Sequence, residues 1–176
     1  TRYLSGERAD ARRSYQRKDP MKEIDVYKVL EGKNPKLARR VPRFVVDYLR
    51  RTIHEREVNE ILARFGDLEG IAFVRAALGY MNVRYHSVGM ERLNPEGRYV
   101  FASNHPFGGM DGLMLADEVA RYFGDVRVVV NDLLMYLGPL RGLFVPVNKH
   151  GRQDAGSVEA FNNAFASDVP IVTFPA

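Results

Sequence analysis

The spacing of apolar residues changes character near residue 82. Before that point, apolar positions recur at the three- and four-residue spacing of a helix, for example at Phe44, Val45, Tyr48 and Leu49. Pro42 precedes this run, and proline is well suited to the first turn of a helix, where its missing N–H has no partner to lose. The pattern predicts an N-terminal helical segment at 21–81, with helices over 42–54, 57–65 and 68–78.

From residue 82 onward, short apolar runs of strand length alternate with helical periods. The predicted strands cover 82–88, 98–102, 126–130, 143–147 and 169–174. The predicted helices cover 112–122, 133–137 and 155–166. Strands separated by helices indicate an α/β fold with a mixed, largely parallel sheet flanked by helices. We therefore expect an α/β core at 82–176, onto which the N-terminal helices pack as an appendage.

The two ends of the chain differ from the rest. Residues 1–20 are polar, lack an apolar period and hold six Lys/Arg against three Asp/Glu. Since Met21 opens a stretch that resembles a natural start, we expect 1–20 to be a flexible tail or a tag remnant. The other end, VPIVTFPA at 169–176, has the composition of a buried strand. We therefore expect the α/β core to be C-terminally truncated and incomplete.

Composition narrows the class of protein. The chain has 176 residues, of which 45% are hydrophobic, enough for one domain with its own core. It contains no cysteine, which excludes disulfides, thiolate metal sites and a cysteine nucleophile. Most of the net charge of +4 falls in 1–20, so the charge gives no support for a nucleic-acid partner. No apolar run reaches the roughly 18 residues of a membrane-spanning helix, so none is expected.

The segment SNHPFGGMDG at 103–112 carries the candidate chemistry. It joins a predicted strand to a predicted helix and holds His105 and Asp111 on one glycine-rich turn. A neutral imidazole can accept the proton of an attacking hydroxyl, provided that a fixed acceptor such as a carboxylate orients its other ring nitrogen. The backbone N–H groups around Gly108, Gly109 and Gly112 can approach a ligand closely and stabilise a developing oxyanion. The turn therefore offers the groups that acyl transfer to a hydroxyl requires.

The same residues allow other interpretations. An aspartate just before a helix is a common N-cap, and Asn104 and His105 could satisfy backbone groups at a strand end. In a second hypothesis, His105 and Asp111 are metal ligands of a hydrolase, although no second ligand cluster is visible and we predict no metal site. In a third, the domain is a non-catalytic module that binds lipid or an acyl carrier.

With this turn, the sequence resembles the glycerolipid acyltransferase superfamily of the lysophosphatidate-acyltransferase type, whose first motif is Asn-His followed by Asp at a strand end. Within it, the sequence is similar to bacterial hemolysin-like acyltransferases, some of which O-acylate a monoacylated amino acid to form ornithine or glycine lipids. GPLRGLFVPVNK at 138–149 resembles the second motif, and VPIVTFPA at 169–176 resembles the start of the third.

The resemblance implies a role for each motif residue. His105 is expected to be the general base, and Asp111 its orienting carboxylate. Asn148 and Lys149 are expected to contact the head group of the acceptor. Arg141, on the same connecting segment, is expected to help bind an anionic head group or the phosphopantetheine of an acyl carrier.

Three departures from the family pattern bear on the substrate. Five residues separate His105 from Asp111, whereas four are usual. Lys149 stands where many members have arginine, a forked cation that binds anions through two parallel hydrogen bonds. Ala176 stands where most members have glutamate. These changes favour an aminoacyl-lipid acceptor over one of the glycerol 3-phosphate type.

The expected function is transfer of a fatty acyl group from an acyl thioester, on acyl carrier protein or CoA, to a hydroxyl of a lysolipid or monoacyl aminolipid. The thioester is a co-substrate, and no further cofactor is expected. Residues 36–51 hold six basic residues and only Asp47 as an acid, a composition suited either to an anionic membrane surface or to an ordinary helix that packs on the core with a solvated, charged face. We therefore expect a cytoplasmic protein that is peripheral on the inner face of the cytoplasmic membrane.

Overall fold

A computed structural model describes residues 23–33, 35, 39–52, 54–147 and 155–175. Its strands are β1 (Val100–Ala102), β2 (Arg127–Asn131), β3 (Phe144–Val147) and β4 (Ile171–Thr173). Its helices are α1 (Val26–Lys33), α2 (Arg43–Thr52), α3 (Glu55–Phe65), α4 (Gly70–Tyr80), α5 (Gly109–Phe123) and α6 (Ala155–Ala166). The tail predicted at 1–20, as well as Asn148 and Lys149, lies outside the described residues.

The described strands form one sheet in the order β1-β4-β2-β3, and every pair is parallel. Val100 is in register with Ile171, and Val128 with Val172, so β4 lies between β1 and β2. Helix α5 connects β1 to β2, and α6 connects β3 to β4. Helical crossovers of this kind are what parallel pairing requires, and the predicted α/β fold is confirmed.

Helices cover both faces of the sheet because alternate residues of each strand point to opposite sides. Val128 and Val130 of β2 belong to a core that includes α3, α4 and α5, whereas Val129 packs with α6. The larger core contains these fully or nearly fully buried residues: Ile61, Leu62, Phe73, Val74, Ala77, Leu78, Ala116, Val119, Val126 and Val172. Helices α3 and α4 therefore share one hydrophobic core with the sheet.

The first two described helices pack outside this core. Val26 of α1 and Val46 of α2 are buried, and Arg50 of α2 joins this region through ion pairs with Asp25, Asp47 and Glu55. No described helix is both long enough and apolar enough to cross a bilayer.

The strand predicted at 82–88 is wrong, because 83–88 has no ladder partner among the described residues. The segment is extended, and its residues alternate between partly buried and exposed, which is why its sequence resembles a strand. Side chains attach it instead to α5: the Tyr85 hydroxyl donates to Asp117 (2.6 Å), and the Ser87 hydroxyl donates to Glu118. Similarly, the helix predicted at 133–137 is a 3₁₀ turn, Asp132–Tyr136.

Candidate active site

The turn after β1 emerges at the carboxyl edge of the sheet. The ladder to β4 extends one residue beyond the strand, since the Ser103 N–H donates to the carbonyl of Thr173 (3.1 Å). The chain then turns back at 105–108, where the Gly108 N–H donates to the His105 carbonyl (2.9 Å). Gly108 has φ 66° and ψ −127° and forms the N-cap of α5. Only glycine adopts such a backbone conformation without strain, so this glycine makes the strand-to-helix turn possible.

Asp111 closes the turn. It lies in the first turn of α5, and its Oδ2 accepts a hydrogen bond from the Phe107 N–H (2.8 Å). The N-cap is Gly108 and not Asp111, so the aspartate stabilises the turn from within the helix. A carboxylate here also interacts favourably with the positive N-terminal end of the helix dipole.

The structure places His105 and Asp111 on the same turn without joining them. Among the described residues, no hydrogen bond and no contact within 4.0 Å links the Asp111 carboxylate to a ring nitrogen of His105. In unliganded active sites, catalytic hydrogen bonds are often long and form only with substrate present. The pairing of this base with this carboxylate stays a prediction.

The contact that His105 does make is with Phe174. The two rings lie with centroids 5.1 Å apart and planes at 84°. Phe174 directly follows β4, the neighbour of β1, so the parallel pairing brings the start of the third motif to the first. A Cβ placed on Gly112 would lie 3.8 Å from the Phe174 ring, an ordinary contact, so α5 also borders this ring.

The remaining glycines of the turn leave open space. A Cβ on Gly108 or Gly109 would meet nothing within 4 Å, and both residues are exposed. The first N–H groups of a helix have no partner inside the helix, and they point outward at its positive end. The turn can therefore present N–H donors to an anionic oxygen beside His105.

Arg141 lies at the amino ends of the parallel strands, the side of the sheet opposite to the His105 turn. It precedes β3, and the Phe144 N–H donates to its carbonyl (3.2 Å). It borders a cleft of about 760 Å³ together with residues at the amino end of β2, among them Gly124 and Arg127. The Arg141 Nε donates to the carbonyl of Met135 (2.7 Å). The structure does not bring Arg141 next to His105.

The other two predicted head-group residues, Asn148 and Lys149, are outside the described part of the chain. They follow Val147, the last residue of β3. In the part that is described, no group of three or more His, Asp or Glu side chains is arranged to hold a metal ion.

A buried carboxylate on α5 was not anticipated. Asp117 is 3% exposed and accepts hydrogen bonds from Arg75 Nε (2.7 Å), Arg121 Nη2 (2.7 Å) and the Tyr85 hydroxyl (2.6 Å). Burial alone would raise the pKa of this carboxyl, but the hydrogen bonds from Tyr85 and Arg75 and the charge of Arg121 lower the pKa below its ordinary value. Burial and the contact with Asp117 raise the pKa of Tyr85. The four residues fix the helix that carries Asp111 against α4 and against 83–88.

Comparison with known proteins bears on the family of the chain. The model of the family described as Acyltransferase matches residues 28–176. The chain is 40% identical over 154 residues to a lyso-glycine lipid O-acyltransferase of Bacteroides thetaiotaomicron, and 38% identical over 154 residues to one of Phocaeicola vulgatus.

These alignments cover 87% of this chain but 57% and 55% of the two relatives, so the chain spans little more than half of their length. No solved structure matches the chain. The family model extends over most of the sequence, including both the His105 turn and the β4 segment. The chain belongs to the acyltransferase family.

Proposed function

We propose that this chain takes part in O-acylation of a lyso-glycine lipid, transferring a fatty acyl group from a thioester to the free hydroxyl of the acceptor. The position of His105 supports this proposal most directly. Its imidazole is exposed at the carboxyl edge of a parallel sheet, the edge where ligands bind in open α/β folds, and the N-terminus of α5 begins four residues later. The likeness to the two relatives supports the choice of acceptor.

In the proposed reaction, His105 takes the proton of the acceptor hydroxyl while the hydroxyl oxygen attacks the thioester carbon. The carbonyl oxygen becomes an oxyanion, which first-turn N–H groups of α5, such as that of Gly109, stabilise. Of the glycines predicted for this role, Gly108 already donates its N–H to the His105 carbonyl, and Gly112 lies one turn into the helix. Collapse of this intermediate breaks the C–S bond, and the imidazolium returns its proton to the departing thiolate. The products are the ester and a free thiol.

Asp111 is the proposed partner of the imidazolium. In this role the carboxylate, whose Oδ2 accepts from the Phe107 N–H, also accepts a hydrogen bond from the His105 ring, so that the ring stays oriented and its positive charge is balanced. The turn between His105 and Asp111 would have to change conformation to bring the two side chains together. This turn contains the one residue that the sequence has in excess of the family pattern.

The donor and the head-group contacts are further proposals. Acyl carrier protein and CoA present the same thioester, and parallel assays with each distinguish them. Asn148 and Lys149 are favoured as head-group contacts, because they follow β3 at its carboxyl end. Arg141 lies at the amino ends of the strands, away from His105, which favours Asn148 and Lys149 as the residues that contact the acceptor. For Arg141 we propose binding of an anion outside the His105 turn.

We also propose that the protein binds the inner face of the cytoplasmic membrane through one corner of the N-terminal region. Arg39, Arg40 and Arg43 are exposed and form no ion pair with any described residue, and the Phe44 side chain beside them is 73% exposed. Arg50, in contrast, is engaged by three carboxylates. Exposed cations close to an exposed aromatic residue in the sequence are suited to an anionic lipid surface.

The variant His105→Ala tests the proposed chemistry. We expect loss of about 10²–10⁴-fold in the rate of acyl transfer to lyso-glycine lipid, followed with a radiolabelled acyl thioester, because the general base is removed. His86→Ala is the control, since His86 is an exposed histidine outside the turn. Circular dichroism checks that both variants fold. Transfer at the wild-type rate by His105→Ala contradicts the proposal.

A further inference from the structure

The aromatic ring that lies against the His105 imidazole is that of Phe174. The imidazole is exposed, and neither ring nitrogen has a hydrogen bond to a described residue. An exposed ring of this kind rotates easily about its side-chain bonds unless something packs against it. Asp111, the side chain expected to hold it, is bonded to Phe107.

The position of Phe174 follows from the rigid part of the fold. Ala102 and Thr173 are paired across β1 and β4, and the Ser103 N–H continues that pairing to the Thr173 carbonyl. Both rings therefore project from the ends of neighbouring, hydrogen-bonded strands. Gly112 of α5 also borders the Phe174 ring, at 3.8 Å from where a Cβ would lie. The phenyl ring is thus close to both the first turn of the helix and the imidazole.

We infer that Phe174 is a positioning residue that holds the His105 imidazole in its working orientation through perpendicular ring contact. The inference rests on the proposed role of His105 as the base. Because neither ring nitrogen is hydrogen-bonded to a described residue, both can still bind a hydroxyl and the Asp111 carboxylate. Perpendicular aromatic pairs are favourable because the electron-poor edge of one ring meets the electron-rich face of the other, which an aliphatic side chain cannot reproduce.

The test compares two substitutions of one residue. Phe174→Leu keeps an apolar side chain but removes the ring, and Phe174→Tyr keeps the ring. We expect Phe174→Leu to lower kcat about five- to tenfold, the size of one aromatic contact, with KM for both substrates changed less than about twofold. Phe174→Tyr should stay within about twofold of wild type in both constants. Equal kcat for the two variants, or a loss confined to KM, overturns the inference.

The control is the same substitution in another aromatic pair. Phe161 stacks on Phe165 within α6 (4.3 Å between centroids), on the face of the sheet that packs with α6. Phe161→Leu therefore removes a comparable ring contact away from His105, and we expect kcat to stay near the wild-type value. A loss in Phe161→Leu as large as in Phe174→Leu identifies a general packing effect and overturns the inference.

A second measurement does not depend on turnover, and its first part needs only the wild-type chain. Nuclear Overhauser contacts between the His105 and Phe174 ring protons are expected in the wild-type chain, and their absence overturns the inference. In Phe174→Leu the His105 ring resonances should shift, whereas in Phe161→Leu they should not. If His105→Ala transfers acyl groups at the wild-type rate, His105 is not the base, and the proposed function itself is contradicted. Inactive His105→Ala together with unchanged Phe174→Leu contradicts only the role of Phe174.

Discussion

The carboxylate of Asp111 accepts a hydrogen bond from the backbone N–H of Phe107, across a turn that bends at Gly108. This bond assigns Asp111 a structural role that is separate from any role in catalysis. The two roles require different properties of the side chain. The turn needs only an oxygen that accepts a hydrogen bond, whereas the imidazolium needs a negative charge.

Asp111→Asn and Asp111→Ala separate these roles. The asparagine retains an acceptor for the Phe107 N–H, so we expect the free energy of unfolding to fall by less than about 0.5 kcal/mol, against about 1 kcal/mol for the alanine. Both variants should lose about 10²–10⁴-fold in kcat, because neither carries the charge that stabilises the imidazolium. Urea unfolding and acyl transfer are the measurements. An Asp111→Asn variant with wild-type kcat assigns the residue to the turn alone.

Gly108→Ala tests the backbone requirement of the turn. Since φ is 66° and ψ is −127°, an alanine is strained there, and we expect a loss of about 1–3 kcal/mol in the free energy of unfolding. Gly109→Ala is the control, because Gly109 is exposed, its Cβ would meet nothing within 4 Å, and it has no positive φ. We expect this substitution to change stability by less than about 0.5 kcal/mol. Equal stability of the two variants would show that the turn relaxes.

Asp117→Asn tests the anchoring of α5. Removing the charge leaves the Tyr85 hydroxyl and two half-exposed guanidinium groups with a weaker, neutral acceptor, so we expect about 1–3 kcal/mol of destabilisation. The control is Asp125→Asn, since Asp125 forms a half-exposed pair with Arg127 (2.8 Å). Exposed pairs contribute less than about 1 kcal/mol. Comparable losses in both variants would mean that the buried cluster does not fix the helix.

The pH dependence of the free energy of unfolding, measured for the wild type and for Asp117→Asn, gives an independent check. The pKa of Asp117 is lowered in the folded state, so the folded state binds fewer protons at this site than the unfolded state does. Its contribution to stability is therefore complete above the unfolded pKa of about 3.9 and is lost as the pH falls through the lower folded value. We expect the stability difference between wild type and Asp117→Asn to be constant from neutral pH to about pH 5 and to shrink below about pH 4. A difference that does not change with pH contradicts this assignment.

Charge removal at the proposed membrane corner should weaken lipid binding. Replacing each of Arg39, Arg40 and Arg43 by Gln is expected to weaken the free energy of binding to anionic vesicles by about 1 kcal/mol. The triple variant should therefore have a partition constant roughly 100-fold lower than that of the wild type. Replacing Arg56, Arg64 and Arg92 removes the same charge from other exposed positions and should have little effect. Flotation with anionic and neutral vesicles measures both. Equal binding by the two triple variants contradicts a localised surface.

Sequence patterns located the strand-to-helix turn because glycine, proline and aspartate have strong local preferences there. They did not distinguish the extended segment 83–88 from a strand, since packing on a helix imposes the same alternation as pairing in a sheet. Nor could they find the Asp117 cluster, in which Arg75 lies 42 positions earlier in the chain. The contact between His105 and Phe174 likewise depends on which strands are neighbours, which periodicity does not specify.

The order β1-β4-β2-β3 has a consequence for how the molecule is made. In the described sheet, β1 is hydrogen-bonded only to β4, whose residues follow about 70 positions later in the chain. Such distant pairing is a slow step in folding, because a long loop has to close before any contact forms. During synthesis, β1 and the histidine that follows it have no neighbouring strand until β4 has emerged. The turn that carries His105 should therefore become ordered only after α5, β2, β3 and α6 have been synthesised.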